Sequence, residues 1–195
     1  MYNLLRRHIV CGLVLAALLA GGCAPTSLIY ISPSANFSYI KKVAVLPFNN
    51  LSEDRYAGER VRSIVTVDLM SRQVFEVMEQ GEVSKVLSII FREEGFEEGR
   101  AVQVDKETLN LIEQRLGVQA VILGSVDEYS GGRYGGNTVV SISLRMLDTS
   151  SGIILWQVSV TELGGSIWRK LIGLEDIDKS VLTQRAVKRA LDTLV

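Results

Sequence analysis

Residues 138–162 limit most strictly what this chain can become. Val140, Ile142, Leu144 and Met146 alternate with Ser141, Ser143 and Arg145. That period of two marks a strand with one face buried. Thr149-Ser150-Ser151-Gly152 follows as a turn, with glycine where the chain can take positive φ. Ile153 to Glu162 returns as the partner strand. An antiparallel hairpin with one apolar face is the result, and other elements must cover that face.

The preceding chain supplies them. Val43-Ala44-Val45-Leu46-Pro47-Phe48 is a short, continuous apolar run, read as a buried strand ended by Pro47. Asn49, Asn50 and Ser52 read as the loop after it, and any of these or Asp54 is placed to cap the next helix. Across 56–72, Ala57, Val61, Ile64, Val65 and Leu69 recur at helical spacing, with Arg62 among the charges mostly off that face. Residues 74–78 read as a second strand, ended by Gln80 and Gly81, and 82–91 as a second helix. The acidic stretch 92–100 reads as a solvated loop. Asp105 reads as the N-cap of a helix through Leu109, Ile112 and Leu116, with Gly117 as its C-terminal stop. Residues 118–126 read as a central strand.

Two connections stand out. Residues 130–137 are glycine-rich and carry Arg133 and Tyr134. A phosphate cradle would need a helix N-terminus to follow, and a strand follows instead, so this is read as a hairpin tip. Residues 163–173 carry Trp168, Arg169 and Lys170, which either meet a partner or membrane interface or cover the open end of the core. A final helix spans 176–195. The fold class is therefore α/β: one domain with a mixed β-sheet flanked by helices, ending in an antiparallel hairpin and a C-terminal helix. Strands joined by helices run parallel, and the later strands pair as a meander.

The N-terminus carries an address. Arg6 and Arg7 precede an apolar run over 9–20, and Ala20-Gly21-Gly22 leads into Cys23. The run has the size of a signal-peptide core and is too short to span a bilayer. The pattern resembles the lipobox of bacterial lipoproteins, with Ala20 where leucine is usual. It implies cleavage before Cys23 and a covalent lipid, palmitate among its acyl chains, on that cysteine. An ordinary secretory signal and an uncut anchor are the competing readings. Ala24 stands where an aspartate would signal inner-membrane retention, so by family analogy the outer membrane is expected, on its periplasmic face. Residues 1–22 are then the signal peptide, 23–40 a lipid-anchored tether and 41–195 the domain. Within the tether, Leu28, Ile29, Tyr30 and Ile31 either form a short strand or lie on the domain.

Cleavage empties the chemical inventory. The one histidine, His8, and the second cysteine, Cys11, both lie in the leader. Histidine- and cysteine-based triads and zinc sites are excluded from the mature chain, and no P-loop, EF-hand or dinucleotide fingerprint occurs. No cofactor beyond the lipid on Cys23 and no metal site is expected. The formal net charge is −1, and no basic patch with interleaved aromatics points to nucleic acid. An enzyme is not expected.

The 43–50 run, the stretch Leu116-Gly117-Val118-Gln119-Ala120-Val121-Ile122-Leu123-Gly124-Ser125-Val126 and the 140–155 hairpin together resemble the CsgG-type outer-membrane lipoproteins. The penicillin-binding-protein activator LpoB and the N-terminal domain of TolB share this layout. In CsgG proper each subunit inserts two long hairpins into a ring-shaped secretion pore. The corresponding stretches here, 129–138 and 160–168, fall short of two membrane strands of about 9–11 residues each. The resemblance thus implies a non-catalytic binding or assembly component of an envelope or secretion machine, with Arg133, Tyr134, Trp168 and Arg169 as candidate partner contacts. Two further readings stay open: an LpoB-like activator of a peptidoglycan synthase, and a subunit of an oligomeric channel.

Overall fold

The computed structural model describes residues 27–93, 104–131, 137–165 and 177–194. Seven strands and four helices are seen among them. In chain order they are β1 (Ser27–Ile31), β2 (Lys42–Val45), β3 (Asn49–Asn50), α1 (Ala57–Arg72), β4 (Glu76–Val77), α2 (Gln80–Glu93), α3 (Lys106–Leu116), β5 (Ala120–Ser130), β6 (Val139–Asp148), β7 (Ile154–Leu163) and α4 (Lys179–Leu191). The sheet order is β1-β7-β6-β5-β2-β4, with β3 paired to β5. β2 runs parallel to β4 and β5, while β5, β6 and β7 form the antiparallel meander. The expected mixed α/β sheet is what the chain builds.

Each face of the sheet has its own helix layer. Val45, Ile122, Ile142, Leu144 and Val158 pack on one side against Val61, Val65 and Leu69 of α1 and Leu182 and Val187 of α4. Ala44, Leu46, Val121 and Leu123 pack on the other against Leu87 and Ile90 of α2 and Leu109 and Ile112 of α3. Alternation along β5 assigns neighbouring residues to opposite layers.

The helix ends follow from local chemistry. Asp105 accepts from the Thr108 N–H at 2.8 Å, and Gly117 closes α3 at φ +65°. Asp178 accepts from the Ser180 N–H at 2.7 Å, so α4 starts slightly later than 176. Asp54 lies just ahead of α1 and accepts from the Tyr56 N–H at 3.1 Å. Gln80 and Gly81 do not end a strand; they open α2, because the Glu79 carboxylate accepts from the Glu82 N–H at 2.9 Å. Backbone N–H groups of Gly81 and Glu82 hold that carboxyl below its ordinary range.

Two further expectations change, and one open alternative is decided. Asn49 and Asn50, read as loop, pair with Ser125 and Val126 as β3. The 74–78 strand shrinks to Glu76–Val77, since the chain reaches the sheet edge only after Gln73 turns through left-handed φ. The segment at 28–31 is a strand, β1, hydrogen-bonded along β7.

Arg62 is the largest departure. Expected off the apolar face, it is 3 % exposed. Glu76 N–H donates to Lys41 O and Met78 N–H to Val43 O. The next carbonyl in that parallel series, Val45 O, would need the Gln80 N–H, but Gln80 has entered α2. The Arg62 guanidinium takes its place, donating through Nε and Nη2 at 3.1 and 2.9 Å. Burial lowers its pKa, opposed by Glu59 and Glu79. Arg62→Met is expected to cost about 1–2 kcal/mol, because an unpaired buried carbonyl outweighs relief of the desolvated charge. Chemical denaturation reads it.

Phe48 needs one missing side chain. A Cβ on Gly124 would lie 2.8 Å from the Phe48 ring. Gly124→Ala is expected to destabilise by about 1–2 kcal/mol through overpacking, with a lowered thermal midpoint.

Candidate anchoring and docking surface

The sheet is covered unequally. α1 and α4 back the meander on one face, but on the other α2 and α3 cover β2, the start of β5 and only the adjoining ends of β6 and β7 at Leu147 and Ile154. Beyond them a polar half-face stays open. Ser125, Ser143 and Ser159 stand in one cross-strand row. Ser143 and Ser159 hydroxyls bond at 2.8 Å, and Ser141 bonds Thr161 at 2.9 Å. Asp127 sits at the bulge between Val126 and Glu128 and accepts from Ser125 and Ser143 at 2.6 and 2.7 Å. The bulge frees Asp127 from the ladder and aims it at these hydroxyls. A cleft of about 300 Å³ opens beside them, bounded by Pro47, Leu51, Leu123, Arg145 and Gln157. These hydroxyls bond one another and Asp127, which makes a hydrogen-bonded polar row beside the cleft. Among the described residues no group of three metal-ligating side chains occurs, and no helix is long and apolar enough to cross a membrane.

One end of the sheet collects several chain exits. β1 starts at Ser27 opposite Val160, the same end at which β5 and β7 finish and β6 begins. Gly164 N–H donates to Thr138 O at 2.7 Å, and Ile177 N–H to Gly164 O at 3.0 Å. A Cβ on Gly164 would approach the Ile177 carbonyl, Leu182 and Thr138 to 2.9 Å each. The described flanks of 132–136 and 166–176 are thus pinned together. Nearby, Tyr129 accepts from Thr183 Oγ1 at 3.2 Å and lies under Lys179 Nζ, 5.0 Å from the ring centre. Asp54 pairs with Arg60 at 3.1 Å and Lys179 at 3.8 Å. Donation from its guanidinium to the Tyr129 hydroxyl and to the Asp54 carboxylate raises the Arg60 pKa. Glu162, buried on β7, meets Arg189 of α4 at 2.8 Å. These contacts clamp the final helix over the sheet end.

Cys23, Arg133, Tyr134, Trp168 and Arg169, the residues singled out from sequence, all lie outside the described residues. The serine rows were visible as the polar half of each alternation, but nothing in a period of two separates an open face from one covered by a helix. The position of Asp127 depends on a bulge that no residue type announces.

No protein-family model matches the chain, and no curated protein matches it in sequence. Solved structures do match in fold. PelC from Paraburkholderia phytofirmans, solved as a dodecamer, is 19 % identical at a TM-score of 0.60, covering 88 % of this chain and 97 % of that one. The chain is similar to PelC along nearly its whole length. Lipoprotein GNA1162 from Neisseria meningitidis is 21 % identical at a TM-score of 0.52, covering 79 % of this chain and 99 % of that one. The LpoB C-terminal domain from Salmonella enterica is a looser likeness, 14 % identical at 0.47 over 77 % and 93 %. At these identities the likeness to PelC and GNA1162 establishes the shared fold alone.

Proposed function

We propose that the chain is a periplasmic lipoprotein anchored to the outer membrane through Cys23, acting without catalysis as an assembly component of an envelope or secretion machine, in complexes that contain several of its own copies. The observation that carries this is the near-complete fold match to PelC, a dodecamer, and to GNA1162, a lipoprotein. The lipobox-like Ala20-Gly21-Gly22-Cys23 and the CsgG-type resemblance support it. So does the hydrogen-bonded hydroxyl row beside the cleft, which offers docking area.

A synthase activator reaching across the periplasm is the less favoured reading. β1 already belongs to the sheet at Ser27, which leaves a very short spacer after Cys23. A full pore subunit is also less favoured. The connection from Ser130 to Val139 is too short for a hairpin whose two strands each need about 9–11 residues.

Metabolic labelling with a palmitate analogue tests the anchor. The expected result is label on the wild type, its loss in Cys23→Ser, and outer-membrane fractionation that depends on Cys23. Membrane-bound but unlabelled protein would overturn the lipoprotein reading.

A further inference from the structure

β1 is an edge strand with no device to blunt it. It ends the sheet order, so among the described residues nothing pairs its outer side. Leu28, Ile29, Tyr30 and Ile31 are 72, 52, 50 and 51 % exposed. Leu28 and Tyr30 stand opposite Ser159 and Gln157, on the open polar face. Ile29 and Ile31 stand opposite Val158 and Trp156, on the α4 face. Both sides of the strand are therefore apolar and uncovered. Edge strands facing water usually carry lysine, proline or a bulge. β1 has none, and no Asp, Glu, Lys or Arg occurs anywhere from 23 to 40.

The position of this strand in the chain says what covers it. Cys23 precedes Ser27 by four residues. Even fully extended, that spans only roughly 14 Å. Acyl chains on Cys23 would thus hold β1 within reach of the leaflet they occupy.

We propose that β1 is a membrane-contact strand, with Leu28, Ile29, Tyr30 and Ile31 seated on the lipid surface at the boundary of headgroups and acyl chains. The inference rests on the lipidation of Cys23 proposed above. Depth follows from the backbone. The outer N–H and C=O groups of β1 need water, so the strand stays at the hydrated headgroup level and does not enter hydrocarbon. Tyr30 suits that boundary, with an apolar ring and a hydroxyl for the wet side. Because the strand and its flanks are uncharged, the contact draws on apolar area and is insensitive to salt and to anionic lipid. The domain then rests on the membrane by one sheet edge, its position set by the strand as well as by the lipid.

The mature chain has no second cysteine, so single labels are clean. Ile29→Cys, Ile31→Cys and, as a control on α1, Met70→Cys would each be spin-labelled in the lipidated protein. Vesicles of phosphatidylethanolamine and phosphatidylglycerol then receive each, and collision with a water-soluble nickel chelate is compared with collision with oxygen. Labels at 29 and 31 are expected to lose nickel accessibility and gain oxygen accessibility on reconstitution, while the label at 70 keeps both. Acylated protein whose labels at 29 and 31 stay as open to nickel as the control overturns the strand contact and leaves the anchor standing. Protein whose intact mass lacks acyl chains overturns both. Protection of 29 and 31 in vesicle-free protein carrying Cys11→Ser and Cys23→Ser, rising with its concentration, overturns the proposal in favour of a second copy on this edge.

Discussion

Trp156→Ala is expected to cost about 3–5 kcal/mol, the usual range for deleting a large buried aromatic side chain. Trp156 is fully buried on β7. It stands beside Met146 on β6 and Ile31 on β1. Its Nε1–H donates to Thr193 Oγ1 at 2.9 Å, just past the end of α4. The residue therefore fills the core and ties the last helix to the sheet. Truncation leaves a cavity and removes the donor to the Thr193 hydroxyl, which keeps only its own bond to Ala190 O at 2.7 Å. Urea unfolding at neutral pH measures the loss. Trp156→Phe retains most of the volume, so its smaller cost separates the hydrogen bond from the packing.

The second large effect is acid-dependent. Asp148 ends β6 and is 3 % exposed. Its Oδ1 accepts from the Ser150 hydroxyl and from the N–H and hydroxyl of Ser151, at 2.7, 2.7 and 2.6 Å. The Tyr39 hydroxyl donates to the other oxygen. Burial favours the neutral acid, but these bonds outweigh it and bring the pKa from 3.8 down to about 2. Burial and the bond to Asp148 push the Tyr39 hydroxyl up to about 12. Asp148 is the group whose folded pKa is depressed below its unfolded value. Its contribution is thus fully present above pH 3.8 and is lost as pH falls towards 2. The shift corresponds to about 2 kcal/mol. Asp148→Asn is expected to be less stable than wild type by about that amount at pH 7. The gap should close as both proteins are titrated from pH 4 to pH 2. Denaturant midpoints across that range read it, and a gap that persists at the acid end would contradict this account.

The hairpin was legible because one rule governs it. Period-two burial along 140–146 and a Thr-Ser-Ser-Gly turn leave little choice of structure. The caps at Asp105 and Gly117 were legible for the same reason: each residue type answers a local backbone need. What escaped depends on distant chain. Asn49 and Asn50 become a strand only because β5 runs beside them, and their polar side chains carry no strand signal. Arg62 is buried because β4 stops one pairing short, a fact about another segment. β1 joins the sheet although its side chains remain exposed, so burial periodicity cannot mark it. The docking surface suffers the same limit. Alternation shows that a strand has a polar face, and only the lengths and placements of α2 and α3 decide that this face is open.

The most direct test of the account is the native mass of the lipidated protein extracted in mild detergent. The expected result is a defined complex of several copies, carrying acyl chains on Cys23. An acylated protein that stays monomeric at all concentrations would contradict the proposed self-assembly.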